Sequence, residues 1–302
     1  MQLGGPIRHT ANLPLKASSG FGHACFPERQ FARAALAGLT PYLKMKSRKP
    51  ACLLAAVAFC AAWSVSSATV QFHNTGTVSS GWTGTNLDAN CSISDSTSVV
   101  YKGTTAIKST ATFNSGYTGR YHAMKTKDNI YHLGDTGFYG FAFYLQSAWD
   151  FSGSQQYQLF QFIADYSNTG CDDWQPSTMV WVAGNQLATR RNYGSSACNR
   201  TVQSYTGLAT VSAGVWHRVV IQAHWTDDSS GYLKLWFDGT KVLEQFNIAT
   251  TINDGRGYRM DVGLYANSWH DQGFCTGSTN RQVWTDQIGT GSTFADADPA
   301  QW

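Results

Sequence analysis

The chain has 302 residues, of which 14% are charged and 14% aromatic, and its formal net charge is +3. The positive excess lies in residues 1–68, which carry eight Lys or Arg and one acid, Glu28, so residues 69–302 have a net charge of −4. This balance gives no support for nucleic-acid binding, which needs a basic surface. Local positive groups would have to hold any anionic ligand.

The N-terminal segment ends in the pattern of a secretory leader. Basic residues at 46–49 come before an apolar run at 51–62, and small residues at 66–68 follow that run. This order is typical of a signal peptide, and the apolar run is too short to span a membrane. An uncleaved signal anchor is the alternative.

We therefore predict three parts in the chain: an upstream, disordered extension at 1–44, a signal peptide at 45–68 and a secreted, extracellular domain at 69–302. No membrane attachment is expected after cleavage. The domain is rich in aromatic residues and Gly, and its length is enough for one large all-β domain.

Short β-rich runs separated by turn residues fill this domain, and no segment has a helical period over three turns. The predicted strands are 69–73, 98–101, 105–112, 118–124, 137–146, 157–165, 178–183, 186–193, 201–206, 216–226, 231–238, 240–247, 258–267 and 281–288. Many short strands in one domain predict an all-β fold, a β-jelly roll sandwich of two antiparallel sheets.

Four cysteines lie within the predicted domain, and an even number in a secreted chain implies disulfides. Cys171 and Cys198 flank a hairpin-like segment, so we predict that they pair. Cys91 and Cys275 would then pair by exclusion. No cysteine or histidine spacing suggests a zinc site.

The run at 258–267 is the most informative strand. Alternation places Arg259, Asp261, Gly263, Tyr265 and Asn267 on one face. A face that met only water would not need this set, and Gly263 would let a ligand approach the backbone closely. We interpret this face as the floor of a polar cleft; an ordinary solvated face is the alternative.

Other strands add one or two polar residues each to an otherwise apolar pleat. Arg120 and His122 share a face, Gln161 points away from its apolar neighbours, and Arg190 lies on a later strand. Arg and Gln can neutralise a carboxylate, and Tyr or His can exchange a proton. The set therefore suits chemistry on an acidic sugar, although a satisfied strand histidine is the alternative for His122.

Hydrolysis by paired acids is disfavoured. Glycosidases need two carboxyl groups about 5–10 Å apart, and the predicted domain has one Glu, Glu244, beside a turn. Asp165 and Asp261 lie on predicted strands, but no second acid is clearly paired with either. The nucleophile elbow, the P-loop and the dinucleotide fingerprint are absent.

Several motifs together resemble one family. They are GRYH at 119–122, GFYGF at 137–141, QFIAD at 161–165, GCDD at 170–173, MVW at 179–181, YLKLWFDG at 232–239, VGLYAN at 262–267 and FADADPAQW at 294–302. In this order they are similar to polysaccharide lyase family 20, the endo-β-1,4-glucuronan lyases. The resemblance implies a jelly roll, secretion, a bound calcium ion and cleavage of glucuronan by β-elimination.

The resemblance also suggests roles for the polar residues. Gln161, helped by Arg120 or His122, would neutralise the uronate carboxylate. Tyr265 would act as both base and acid, with a pKa lowered from about 10 by Arg120 and Arg259; alternatively, His122 is the base and Tyr265 the acid. The chain also resembles, more distantly, the jelly-roll alginate lyases, which carry a Gln-x-His motif. Here Ile163 stands two residues after Gln161, so the His of that motif has no counterpart on this strand.

Flanking sugars would be held by Arg259, Asn267 and Arg190. Trp181 could stack on a sugar ring, although a lone Trp in a β-rich run is more often part of a core. Lys234 and Trp236 share a hairpin face, and the sequence leaves open whether that face lines the cleft.

The implied calcium ion would take hard oxygen ligands away from the cleft. The first and last strands should be neighbours in such a sandwich, so Asn74 and Asp286 could share it; a solvated Asp286 is the alternative. We expect a monomer that acts on an acidic polysaccharide. A non-catalytic carbohydrate-binding module, or a jelly-roll lyase acting on another uronan such as alginate, remains the competing interpretation.

Overall fold

The computed structural model describes residues 69–302, so the predicted extension and signal peptide at 1–68 lie outside the described residues. The strands are β1 (Val70–Asn74), β2 (Gly84–Leu87), β3 (Cys91–Ser96), β4 (Ala106–Thr112), β5 (His122–Tyr131), β6 (Thr136–Leu145), β7 (Gln156–Asp165), β8 (Trp174–Ala183), β9 (Gln186–Gly194), β10 (Arg200–Thr210), β11 (Trp216–His224), β12 (Tyr232–Phe237), β13 (Thr240–Phe246), β14 (Tyr258–Tyr265) and β15 (Asn280–Gly291). Two short helices are α1 (Asn267–Gln272) and α2 (Phe294–Ala297). Within 69–302, neither helix is long and apolar enough to cross a membrane.

The strands form two antiparallel sheets, which confirms the predicted jelly-roll sandwich. The eight-stranded sheet has the order β13-β12-β11-β6-β15-β4-β3, with β1 also paired to β15. The seven-stranded sheet has the order β10-β9-β8-β7-β14-β5-β2. Strands that are distant in the chain, such as β5, β7 and β14, thus become neighbours in one sheet.

Alternation explains the clearest hairpin, β11–β12. Leu233, Leu235 and Phe237 are buried while the residues between them are partly exposed, as a half-buried strand requires. Asp238 and Gly239 both have positive φ, at 49° and 84°, which gives the tight turn into β13 the backbone of a two-residue hairpin loop.

Aromatic side chains from both sheets fill the interior. Phe141 of the eight-stranded sheet stacks on Phe160 of the seven-stranded sheet, with ring centroids 5.1 Å apart. Tyr131 is sandwiched between Trp225 and Tyr258, at centroid distances of 4.0 Å and 4.6 Å. Each such buried side chain contributes about 1.5–3 kcal/mol to folding, so this core fixes the strands that carry the polar face outside it.

The secondary structure differs from the prediction at polar, short elements. No strand forms at 98–101, because the backbone N–H groups of Tyr101 and Lys102 donate to the Asp286 carboxylate instead of to a strand. The edge strands β2 and β3 were not predicted, since their polar residues give a weak strand signal. The predicted strand at 258–267 ends at Tyr265, and Asn267 begins α1.

The structure confirms one predicted disulfide and shows the other to be wrong. Cys171 and Cys198 are bonded, with Cα atoms 5.3 Å apart. Cys91 and Cys275 are free thiols. Burial raises the pKa of Cys91 to about 12, and the Cys275 Sγ donates weakly to backbone carbonyls of its own loop. The two cysteines therefore act as half-buried packing groups.

Candidate active site

A cleft of about 1120 Å³ runs over the outer face of the seven-stranded sheet. Its charged lining residues are Asp88, Arg120, His122, Asp128, Asp172, Asp173, Arg190, Arg200, Arg259 and Asp271. The sheet places polar residues from distant parts of the chain side by side there. Of the face predicted for 258–267, Arg259, Tyr265 and Asn267 line the cleft, whereas Asp261 and Gly263 do not. Arg120 enters from the loop before β5, so the predicted strand at 118–124 begins only at its fifth residue, His122.

Tyr265 and His122 lie together in the lining of this cleft. They are paired residues on β14 and β5, and their rings stack with centroids 3.8 Å apart and an interplanar angle of 26°. Arg120 Nη1 donates to the Tyr265 hydroxyl oxygen at 2.8 Å. Two groups that can exchange protons are thus held on one side of the cleft.

Asp88 orients the imidazole of His122. Its carboxylate lies 2.7 Å from His122 Nδ1 and also accepts the His122 backbone N–H at 2.8 Å. Because a carboxylate only accepts, we assign the ring proton to Nδ1, which leaves Nε2 as an acceptor. Burial lowers the pKa of His122, helped by Arg120 and Arg259 and opposed by Asp88, so the ring is neutral at neutral pH. Sequence reasoning missed Asp88, which follows a strand it did not predict.

The expected lowering of the Tyr265 pKa is wrong. Burial raises the pKa of this phenol, and the nearby Arg120 guanidinium offsets that rise only in part. The hydroxyl therefore keeps its proton at neutral pH, which suits an acid and not a base.

Gln161 is held by a buried carboxylate. Its Nε2 donates to Asp261 Oδ2 at 2.8 Å, which leaves a second N–H on the same nitrogen. Arg259 also contacts this carboxylate: its Nη2 donates a hydrogen bond to Asp261 Oδ2 at 3.1 Å. The Arg259 Nε lies 2.9 Å from Asp261 Oδ1 as an ion pair, but its N–H does not point at that oxygen. Burial raises the pKa of Asp261. Gln161 and Arg259 both line the cleft above it.

Two further predicted residues face the cleft with unused polar atoms. Arg190 has no hydrogen-bond or ion-pair partner among the described residues, and its Nε is buried. Burial, with Arg200 nearby, lowers the pKa of Arg190 to about 10, so it stays protonated at neutral pH. Asn267 has a buried Oδ1 with no partner. Arg200, by contrast, is paired with Asp172 at 2.6 Å.

A β-bulge adds a residue that the sequence analysis missed. The pairing of β7 with β8 is irregular between Gln158 and Phe160, so Gln158 and Gln161 both line the cleft although they are three residues apart. Strict alternation would have placed Gln158 with Phe160 and Phe162 in the core. Bulges often occur next to active sites, but the sequence carries no signal for this one.

The structure does not place every predicted residue on the cleft. Trp181 is 4% exposed and is not a lining residue; it packs against Ala188 and against Met179, which does line the cleft. A Cβ at Gly263 would lie 2.3 Å from the Ala123 carbonyl oxygen and 2.8 Å from Ser109 Oγ of the other sheet. The interpretation that Gly263 admits a ligand is therefore wrong, since this glycine admits neighbouring protein atoms.

The two hairpin residues left open by the sequence also lie elsewhere. Lys234 and Trp236 are on β12 of the eight-stranded sheet, and Lys234 packs over the Tyr232 and Phe246 rings. Glu244 lies on the adjacent strand, within 3.7 Å of Lys234. This acid is thus outside the cleft.

The proposed calcium ligands lie beside each other on β1 and β15, but their oxygens are already used. Asn74 Oδ1 accepts the N–H groups of Gly76 and Thr77. The fully buried Asp286 carboxylate accepts four N–H bonds, two of them from Gln287. Within 69–302 no group of three or more His, Cys, Asp or Glu forms a metal-binding arrangement. As arranged, these side chains do not supply the six to eight oxygens of a calcium site.

Comparison with known proteins adds an independent observation. The profile of a polysaccharide lyase family matches residues 73–289, whereas no curated protein matches. Among solved structures, the chain is similar to an endo-β-1,4-glucuronan lyase from the fungus Trichoderma reesei, with 47% identity and a TM-score of 0.76 over 78% of this chain and 100% of that chain. An alginate lyase from Aplysia kurodai, at 11% identity and a TM-score of 0.48 over 74% and 100% of the two chains, is too distant to carry an argument.

Proposed function

This chain belongs to the polysaccharide lyase family, and we propose that it cleaves β-1,4-linked polyglucuronate, glucuronan, by β-elimination to leave 4,5-unsaturated uronate ends. The match to the Trichoderma reesei glucuronan lyase, which is aligned over its whole length, supports this substrate. The cleft supports it through particular side chains and not through its total charge, because its lining holds four Arg and five Asp. Arg120 bonds the Tyr265 hydroxyl and, like Arg190, forms no ion pair with a carboxylate of the described residues, so both charges are available to an acidic polymer.

The stacked pair of His122 and Tyr265 carries the proposal. In D-glucuronate the C5 proton and the C4 oxygen lie on the same side of the ring, so the base and the acid must approach from one side. The structure places both rings together on one side of the cleft. The base is neutral His122, positioned by Asp88, and the acid is protonated Tyr265.

The reaction then balances without a further reactant. His122 Nε2 takes the C5 proton, and the electron pair of that bond forms the C4–C5 double bond. The bond between C4 and its glycosidic oxygen breaks, and the Tyr265 hydroxyl protonates the leaving oxygen. A proton then passes from the imidazolium to the phenolate, which restores both residues.

Neutralisation of the uronate carboxylate makes the C5 proton acidic enough to remove. We assign this role to the N–H of Gln161 that is not bonded to Asp261. Arg120, which is hydrogen-bonded to the Tyr265 hydroxyl, assists it. Arg190, Arg259 and Asn267 hold the flanking sugars, and Arg190 is the one whose charge has no partner among residues 69–302. Trp181 has no part in this assignment.

Three further properties belong to the proposal. The leader pattern supports secretion, and we expect a monomer. The structural calcium ion implied by the family resemblance also stays a proposal. The buried Asp286 carboxylate forms no ion pair within the described residues, but its four hydrogen bonds mean that the present arrangement does not complete a ligand set. A chelator should then lower the melting temperature with little immediate loss of rate; an unchanged melting temperature would remove the ion from the account.

The substrate is tested with a panel of glucuronan, alginate and hyaluronan, followed by the ultraviolet absorbance of the unsaturated product. Rising absorbance on glucuronan is the expected result. Rising absorbance only on alginate would move the protein to another uronan. Binding of glucuronan without new absorbance or new reducing ends would make it a carbohydrate-binding module.

A further inference from the structure

Gln158 is a buried amide with no partner in the part of the chain that the structure describes. Its side chain is 0% exposed, yet neither Nε2 nor Oε1 makes a hydrogen bond to any described residue. A buried polar group left unpaired costs about 1–3 kcal/mol, and the great majority of such groups are satisfied in folded proteins. An amide left in this state calls for an occupant of the cleft that completes its bonds.

Its position is next to the stacked pair of His122 and Tyr265. Gln158 is paired with Tyr265 across β7 and β14, and with Trp181 across β7 and β8. The bulge after Gln158 turns its side chain to the cleft wall. The sugar that undergoes elimination would therefore lie next to this amide, which must shift from its fully buried position to bond it.

The chemistry of the amide distinguishes its role from those of its neighbours. Carboxylates of the polymer have Arg120, Arg190 and the remaining N–H of Gln161, whose other N–H is bonded to Asp261. Gln158 is neutral, and both its donor and its acceptor are unused. A sugar hydroxyl also both donates and accepts, so it is the natural complement of a free amide.

Resting on the proposed function, we infer that Gln158 reads a ring hydroxyl, at C2 or C3, of the uronate in the catalytic position and so sets specificity for the unsubstituted sugar. A site built to bond a hydroxyl discriminates strongly against a substrate that lacks it, because its own polar groups are then left unpaired. Substitution of those hydroxyls on the polymer should block cleavage through this residue.

The test compares wild type with Gln158→Met, which keeps the length of the side chain and removes both polar atoms. The two proteins are assayed on glucuronan and on glucuronan O-acetylated to graded extents. We expect kcat/KM on unmodified glucuronan to fall about tenfold or more in the variant. We also expect acetylation to lower kcat/KM by a larger factor in wild type than in Gln158→Met, because only wild type loses the hydrogen bond to the hydroxyl. Steric effects of the acetyl groups act on both proteins and cancel in this comparison.

A stability measurement separates this role from a structural one. Removal of an unpaired buried amide should leave the melting temperature of the free protein unchanged or higher, whereas a structural hydrogen bond would lower it. Gln186→Leu, on β9 two strands away in the same sheet and outside the cleft lining, is the control and should alter none of these values.

The inference would be overturned if acetylation of the substrate lowered kcat/KM by the same factor in both proteins. An unchanged kcat/KM on unmodified glucuronan, or a lowered melting temperature, in Gln158→Met would also overturn it. The proposed function fails in a different way, because wild type itself would then give no unsaturated product from glucuronan.

Discussion

The imidazole of His122 lies against the phenol ring of Tyr265, with ring centroids 3.8 Å apart. Both residues belong to the antiparallel ladder of β5 and β14, so regular backbone pairing fixes their relative position. Asp88 and Arg120 then anchor one ring each by a direct hydrogen bond. A rigid pair of this kind is prepared for proton transfer before the substrate binds.

Tyr265→Phe should remove nearly all lyase activity and leave the fold intact, because only the hydroxyl that protonates the leaving oxygen is lost. A general acid usually contributes 10²-fold or more. Initial rates and a thermal melt measure both effects. Tyr144→Phe, whose hydroxyl bonds Ser147 on the other sheet, is the matched control. More than about a tenth of the wild-type rate in Tyr265→Phe would assign the acid role to another group.

Asp88→Asn should change the pH profile as well as the rate. His122 works as a base when deprotonated, and its pKa lies below the ordinary value of 6.5, so kcat/KM should fall only as the pH drops below that value. The fall at high pH should lie above 10, where Tyr265 loses its proton.

Loss of the Asp88 carboxylate removes the group that raises the pKa of His122. The acid limb of the variant should therefore move to lower pH, and the plateau should drop because the Nδ1 proton is no longer held. Asp135→Asn, beside His132 and outside the cleft, should leave the profile unchanged. An acid limb at the wild-type pH would show that His122 is not the titrating base.

Gln161→Ala should lower kcat more than it raises KM, because neutralisation of the carboxylate matters most once the enolate forms. Steady-state kinetics on glucuronan separate the two constants. The buried Asp261 loses a hydrogen-bond donor in this variant, so a thermal melt is needed beside the kinetics. A rise in KM with unchanged kcat would make Gln161 a binding residue only.

The sequence predicted the sandwich because apolar and polar residues alternate in strands such as β12, which is half-buried, and β14, which is buried along nearly its whole length. It found His122, Gln161 and Tyr265 for the same reason. Gln158 escaped it because a bulge breaks the period of two. The direction of the Tyr265 pKa shift also depends on tertiary burial. The sequence indicated a nearby Arg, which lowers the pKa, but it could not show that desolvation raises the pKa by more.

The disulfide should stabilise the domain and one wall of the cleft. Cys171 lines the cleft beside Asp172, which pairs with Arg200. Replacing Cys171 and Cys198 together by Ser should lower the free energy of unfolding by about 3–4 kcal/mol on the chain-entropy estimate. Chemical denaturation measures this loss. Cys91→Ser is the control for a cysteine that forms no bond, and an equal effect of the two changes would contradict the assignment.

The most direct test of the elimination mechanism is the mass of the oligosaccharides that the wild-type protein releases from glucuronan. Elimination leaves each new non-reducing end lighter by one water molecule than hydrolysis does, and it gives that end ultraviolet absorbance. We predict that every internal cleavage yields one such unsaturated end, and that Tyr265→Phe yields almost none. Products that carry the added water, with no unsaturated ends, would contradict the account.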